Sequence, residues 1–456
     1  MYQREIAASR KASLLHGLKA YAKNSDQKPH MSSIWEASRI DRPDSLKRLT
    51  AEAAASLRAL PGNSRISTRD FIHNSLYHPL YGYFSRHAHI FSLPSPILFP
   101  TIKDSYEFMN RLGQLYKDME SAQPSTSNSV QRQVWHTPTE LFRPYYGEAI
   151  AAYVVKRHKA EGASHPLLIY EIGGGNGTLM NNVLDYVQNN HPEIYASMCY
   201  HLIEISPMLY DVQRGKESSI SRHGDRVRIV NKSIFSWKER IDSPCFFVAS
   251  EVIDNFAHDL VRYDAETTSP LQGMVLISED GDFEEAYEAV NDPLLLQYMD
   301  LRNQTGYTSP VLRKSLLAQI NPLRSNLTGA EFVPTMMMQL ISLLSTYFPN
   351  HRLVISDFDK LPDSVDAVDG PVVQTRYDGG MVACSTYLVQ PGYFDIFFPT
   401  NFELLKDMYM RMTNREAAVM SQRQFLKENA NLSLTTTKSG ENPMLSFYEN
   451  FKFILS

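Results

Sequence analysis

Three groups of residues in this 456-residue chain have the types and spacing to do chemistry. The first is a glycine-rich stretch, Tyr170-Glu171-Ile172-Gly173-Gly174-Gly175-Asn176-Gly177-Thr178-Leu179. It closes the apolar, strand-like run 166–172 and opens the helix-like run 178–187. Glycines at such a junction let the backbone turn sharply and come close to a ligand. The second is Glu204, at the end of the strand-like run 200–205 and 27 residues past Gly177. An acid at that place can accept hydrogen bonds from a ribose diol. The third is the pair Glu251 and Asp254, just after the apolar run 245–249. Three residues apart at an expected helix start, the two carboxylates can share a side. Capping of the helix N-terminus is the plainer role for them, and the two roles are compatible.

The spacing of the glycines selects among nucleotide-type ligands. A dinucleotide loop has the form G-x-G-x-x-G, with pyrophosphate on the helix N-terminus. Counted from Gly173 the last position is Thr178, and counted from Gly175 it is Met180, so both registers fail. What stands here is E-x-G-x-G-x-G, which resembles the first cofactor motif of methyltransferases. S-adenosylmethionine carries no phosphate and needs only close backbone approach and polar groups for its amino-acid part. The expected cofactor is therefore S-adenosylmethionine, bound by Glu171, Gly173, Gly175, Gly177 and Glu204. An NAD-dependent oxidoreductase is disfavoured by the same count.

These residues require a scaffold of alternating elements. Runs 166–172, 200–205, 226–230, 245–249 and 351–355 read as strands, and 178–187 and 208–215 as helices. Nearly continuous apolar strands alternating with helices predict a parallel sheet covered on both faces, an α/β fold of Rossmann-like type. Asp357 follows the last of these strands, where substrate contact and helix capping are both open. Apolar residues three or four apart predict a helix over 40–60. An aromatic, turn-like stretch follows at 77–84, and Tyr77, His78, Tyr81 and Tyr83 are candidates for a wall over the site. Residues 87–130 read as a surface excursion with a helix at 106–119 and a polar linker at 121–129. Residues 265–345 interrupt the alternation and read as a helical insertion, with helices at 309–323 and 335–347. Met336, Met337 and Met338 read as core filling. Strand-like runs at 372–387 and 393–398 follow, then a helix beyond Glu403 and a polar stretch at 433–442.

Composition sets outer limits. With 43% apolar and 21% charged residues the chain can bury a substantial core. A net charge of -5 gives no basic footprint for nucleic acid. Cys199, Cys245 and Cys384 stand too far apart for a paired zinc motif, and no histidine spacing suggests a metal. No apolar run reaches the roughly 18 residues of a membrane span. Residues 1–30 differ from the rest, with Arg4, Arg10, Lys11, Lys19, Lys23 and Lys28 against Glu5 and Asp26. Ile6, Leu14, Leu15 and Leu18 recur at near-helical spacing, which is the pattern of a mitochondrial transit segment.

Over roughly residues 64–405 the chain resembles the MidA-like family, the mitochondrial complex I assembly-factor protein arginine methyltransferases. The residues that carry the resemblance are Ile66–Ser85 with Tyr77-His78-Pro79-Leu80-Tyr81-Gly82-Tyr83, and Thr137-Pro138-Thr139-Glu140-Leu141-Phe142 with Gly147-Glu148. Glu171–Leu179, Ser250-Glu251-Val252-Ile253-Asp254-Asn255-Phe256 and Asp395–Phe402 complete it. The resemblance implies symmetric dimethylation of an arginine on a complex I core subunit in the matrix. In it Glu251 and Asp254 are the expected catalytic carboxylates, which hold and orient the guanidinium. It also implies a leader and helical extension over 1–60, ahead of a methyltransferase domain over 61–456. The cofactor core of that domain is expected at about 135–265 and 350–400, with the insertion at about 265–345. This chain departs from the family at Gly174 and Asn176, where many members carry proline and arginine. Asn231 stands where methyltransferases often place an acid, and the stretch 87–130 is longer than the family's link. These departures leave a second expectation open, a partner-binding assembly factor that keeps the fold and no longer turns over.

Overall fold

The computed structural model describes residues 46–456 apart from 87, 91–92, 94, 122–132, 136, 163–164, 216–221, 314–325 and 378–379. The basic start at 1–30, the polar linker from residue 122 and most of the expected helix at 309–323 lie outside the described residues.

The five strands expected from the apolar runs join two later ones in one seven-stranded sheet. In chain order they are β1 (Leu168–Ile172), β2 (Cys199–Glu204), β3 (Val227–Asn231), β4 (Cys245–Ser250), β5 (His351–Phe358), β6 (Ala418–Ser421) and β7 (Phe451–Leu455). Their order across the sheet is β6-β7-β5-β4-β1-β2-β3. The pairs from β5 to β3 are parallel, and β7 joins β5 and β6 antiparallel. Alternate residues of each strand enter separate cores. Ile169, Leu202, Phe246 and Val248 pack under helices Tyr145–Ala160 and Thr178–Asn190. Tyr170, Ile203, Phe247 and Ala249 face helices Thr335–Tyr347 and Phe402–Thr413. This two-sided burial is why the strands read as continuous apolar runs rather than as alternation.

A second sheet is built largely from the interruption. It runs Lys47–Leu49, Ser64–Ser67, Pro270–Ile277, Asp259–Tyr263, Glu331–Val333, with Phe283–Ala289 also paired to Pro270–Ile277. The segment read as helical therefore contributes strands as well as helices Pro293–Gln304 and Thr335–Tyr347. Among the described residues of 40–60 the helix is confined to Ala51–Ala55, preceded by the strand Lys47–Leu49. The Thr50 side chain accepts the Ala53 amide, and this cap starts the helix where the periodic pattern alone would have run through. Leu49 and Ala54 share a core with Ile66, Phe71 and Val275. A three-stranded sheet, Gly380–Cys384, Val372–Tyr377 and Asp395–Phe397, stands beside the carboxyl ends of β4 and β5.

Candidate active site

The carboxyl ends of β1, β2, β3 and β4 open into one cavity of about 680 Å³. In an open α/β sheet this is where ligands bind, and the volume suits a nucleoside-sized molecule with room for a second group. Gly173, Gly175, Glu204, Glu251 and Asp254 all line it, so the structure brings together five of the seven residues singled out from the sequence.

The glycine loop is shaped by two constraints. Gly175 sits at φ 55, a left-handed conformation that costs other residues about 1–2 kcal/mol. At Gly174 an added Cβ would lie 2.3 Å from Leu202 Cδ1 on the neighbouring strand. The loop then closes with the Gly177 amide on the Gly174 carbonyl at 2.7 Å, and Gly177 caps helix Thr178–Asn190. Glu171 does not line the cavity. It lies buried beneath the loop, where it accepts the Tyr200 hydroxyl at 2.9 Å, and burial pushes its carboxyl up to about 8. Its position follows from the strand period, because Glu171 alternates with Ile172 and points with Ile169 to the face under helices Tyr145–Ala160 and Thr178–Asn190.

Glu204 is fixed through both oxygens. One accepts the Ser206 amide at 2.8 Å, and the other accepts the Gln213 side-chain amide at 3.1 Å. Gln213 also donates to the Gly175 carbonyl at 2.7 Å, which ties the loop to the strand-end acid. Burial pushes Glu204 up to about 7, against the pull of these donors. Asn231, in place of the usual acid, donates to the Glu204 carbonyl at 2.8 Å. Ile205, Leu209 and Ile234 give this end of the cavity apolar walls. A diol-accepting carboxylate, an apolar slot and a loop admitting close backbone approach fit the ribose, adenine and amino-acid parts of S-adenosylmethionine.

The other end of the cavity is acidic. Glu251 follows β4 at φ 55, unusual for a residue with a side chain. The expected helix start is instead a single tight turn, Ile253–Asn255. Asp357, which lies within β5 rather than past it, accepts the amides of Val252, Ile253 and Asp254 at 3.1, 2.9 and 3.2 Å. Asp395 lines the same region and accepts the Asn255 side-chain amide at 2.9 Å. Burial holds Glu251 and Asp254 well above the usual carboxylate range, with the charge of Asp357 as the next cause for both. Burial also pushes Asp357 to about 7 and Asp395 to about 8. Asp254 Oδ1 is buried with no hydrogen-bond partner among the described residues. A buried carboxylate oxygen left so is costly, and a donor arriving in the cavity relieves it.

An aromatic wall does cover the site, but with a changed membership. His73, Tyr77 and Phe84 line the cavity, and the Tyr77 and Phe84 rings stack at 5.3 Å. The Tyr77 hydroxyl donates to the Asn255 carbonyl at 3.2 Å. His78 and Tyr81 stack on each other at 3.6 Å away from the cavity, and Tyr83 is a core residue. Helical spacing explains the swap, because His73 and Tyr77 share a face of helix Thr68–Tyr77 that His78 cannot join. Within the triplet 336–338, Met337 and Met338 fill the core and Met336 reaches the cavity.

Sequence reasoning missed Gln213, Asp395 and Glu140 as contributors. Glu140 is buried, and one of its oxygens accepts both Asn176 and Thr178 at 3.0 and 2.6 Å, bracing the loop from outside. Its membership of the 137–142 motif was the available signal. Gln213 carried none, since its two partners lie on different elements.

Known proteins are similar to this chain in sequence and fold. A family model described as "Putative S-adenosyl-L-methionine-dependent methyltransferase" matches residues 149–420. A Schizosaccharomyces pombe protein, named protein arginine methyltransferase NDUFAF7 homolog, mitochondrial, is 22% identical over 386 residues. That match covers 81% of this chain and 80% of the relative. A Burkholderia thailandensis protein crystallised with S-adenosyl-homocysteine aligns over 94% of this chain and 95% of its own, with TM-score 0.55 and 15% identity. A native structure from the same superfamily and organism aligns over 94% of each chain, with TM-score 0.54 and 14% identity.

Proposed function

Because this chain belongs to the S-adenosyl-L-methionine-dependent methyltransferase family, its reaction is methyl transfer from that cofactor, and we propose that the acceptor is an arginine guanidinium on a protein. The observation that carries this reading is the charge of the cavity. Glu251, Asp254 and Asp395 line one end of it, with Asp357 directly behind. The cations available to balance them are few. Lys232 lies at the β3 end with its ammonium 3.9 Å over the Trp237 ring, and burial lowers the pKa of His73. A site with buried acids and no resident cation among them is built for a cationic guest. A guanidinium, planar and with five donors, matches paired carboxylates better than a point-charge ammonium.

The bound cofactor supplies a methyl carbon on a sulfonium, which makes that carbon electrophilic. The chain's own residues have three tasks. Gly173, Gly175 and Glu204 hold the cofactor, with Gly177 closing the loop as the cap of helix Thr178–Asn190 and Glu171 bracing it from below through Tyr200. Glu251 and Asp254 receive the guanidinium and orient one nitrogen, and one of the two carboxylates takes the proton which that nitrogen gives up as it bonds to the methyl carbon and the carbon–sulfur bond breaks. Burial raises the proton affinity of both acids, and an entering cation favours their ionised forms. Tyr77 and Phe84 exclude water from the reacting groups.

The finer reading is symmetric dimethylation of a complex I core subunit in the mitochondrial matrix. It is supported by the family resemblance, by the basic pattern of residues 1–30 and by the name of the Schizosaccharomyces pombe relative, which carries the word mitochondrial. We place the working unit at 61–456, with the cofactor core at about 135–265 and 350–400.

The test is transfer of labelled methyl from S-adenosylmethionine to mitochondrial protein, with the modified residue identified by mass spectrometry. The label is expected on arginine. Glu251→Gln is expected to abolish transfer while leaving cofactor affinity within a few-fold. Label on another residue type would remove the arginine assignment, and turnover retained by Glu251→Gln would remove the role of that carboxylate. Cofactor binding with no labelled product would favour the partner-binding scaffold.

A further inference from the structure

We infer that Asp357 is the positioning residue of this site: its carboxylate gathers three successive amides and so turns Glu251 and Asp254 into the cavity. The inference rests on the reading that those two residues receive the substrate cation.

The geometry follows from the register of the central strands. β4 and β5 pair in parallel as far as Ser250 and Ser356. One residue on, the Glu251 amide still donates to the Ser356 carbonyl at 3.0 Å, and there the chain reverses with φ 55. The next three amides, of Val252, Ile253 and Asp254, converge on the single oxygen Asp357 Oδ2. The other oxygen, Oδ1, accepts the Phe358 amide at 2.8 Å. Successive amides that converge in this way form an anion-binding concavity, and here the anion is a side chain of the protein itself. The far side of the turn is pinned as well, by the Phe398 amide on the Asp254 carbonyl at 2.8 Å and by Asn255 on Asp395. An asparagine cannot replace the aspartate, because its NH2 would face either the Phe358 amide or the three amides of the turn.

The groups around Asp357 make its charge as important as its shape. From the turn come Glu251 and Asp254, and Glu140 lies near enough to act on Glu251. Helix Tyr145–Ala160 contributes Tyr146, whose hydroxyl lies 3.3 Å from Ser356 Oγ, itself 3.0 Å from Ser250 Oγ. Asp395 and Tyr77 act from the far side of Asp254. Lys452 is the register partner of Asp357 on β7, and its ammonium is 3.0 Å from Asp359. No cation therefore faces Asp357 directly among the described residues. Four amides favour its ionised form, and its charge raises the affinity of Glu251 and Asp254 for protons.

The test uses the full chain and its first readout needs no substrate. Infrared difference spectra follow the C=O stretch of protonated buried carboxyls as pH rises, and the Glu251 band is assigned by its absence in Glu251→Gln. Asp357→Asn is expected to move the Glu251 step down by about one pH unit or more, because a neighbouring negative charge has gone. Asp357→Glu, which keeps a charge but displaces it, is expected to leave the step nearer its original place. Both variants are expected to keep cofactor affinity within a few-fold and to lose about a hundredfold in labelled-methyl transfer. A lowered melting temperature with an unmoved Glu251 step and unchanged transfer would overturn the inference. If Asp357→Asn does not fold, Asp357→Glu decides, and full transfer by that variant would overturn it. Retained transfer by Glu251→Gln is the separate outcome that removes the underlying reading.

Discussion

At the scale of single residues, the site depends on backbone conformations that side chains rarely adopt. Gly175 is left-handed, lines the cavity and offers its carbonyl to Gln213. Gly175→Arg adds strain of about 1–2 kcal/mol and a long side chain at the cavity wall, so this variant is expected to fold and lose the cofactor. Glu251 takes the same conformation with a full side chain and is held there by Asp357. The glycines, Glu204, Glu251 and Asp254 could be picked out in the sequence because each ends or follows an apolar run. Asp357 and Gln213 could not be given their roles that way. The bond from Ile253 to Asp357 spans 104 positions, and that from Gln213 to Gly175 spans 38. Only the pairing of β4 with β5, and the docking of helix Pro207–Arg214 beside the loop, bring these partners together.

At the scale of elements, the wall over the cavity hangs on one buried ion cluster. Helix Thr68–Tyr77 carries His73 and Tyr77 on the face turned to the site. Arg69, on the same helix, pairs with Asp259 at 2.7 Å and with Asp292 at 2.6 Å, while Thr335 donates to Asp259 at 2.6 Å. Arg69→Ala leaves Asp259 buried without its cation, and is expected to cost about 3–5 kcal/mol, read as a lower midpoint in urea unfolding. The alternation of strands and helices was legible over β1 to β5 because two-sided burial leaves continuous apolar runs. The strands of the second sheet were not legible in the same way. Phe283–Ala289 has the sequence FEEAYEA and no buried residue, so its acids hid the alternation. β6 and β7 are short, lie at the far edge and pair antiparallel, and no βα repeat announces them.

At the scale of the whole molecule, the buried carboxylates set a dependence of stability on pH. Glu171, Glu204, Asp357 and Asp395 are pushed up to between about 7 and about 8 in the folded chain. Their unfolded values lie near 4, at about 3.9 for Asp and 4.3 for Glu. Between those values the folded state binds more protons than the unfolded one, so stability falls as pH rises. The buried histidines His201, His258 and His351 are lowered to about 4 and act in the opposite direction, but only below about 6.5. The melting temperature of the free protein is therefore expected to drop from about pH 6.5 to about pH 8. A flat or rising profile would contradict the upward push of burial on these acids. The fold, the cavity and the family all converge on one cofactor, and its binding is the most direct test of the account. The measurement is a calorimetric titration of the purified protein with S-adenosylmethionine, run beside Gly175→Arg. The account predicts saturable binding at one site per chain in the wild type and loss of that heat in a variant that remains folded. Absence of binding by well-folded wild-type protein would contradict it.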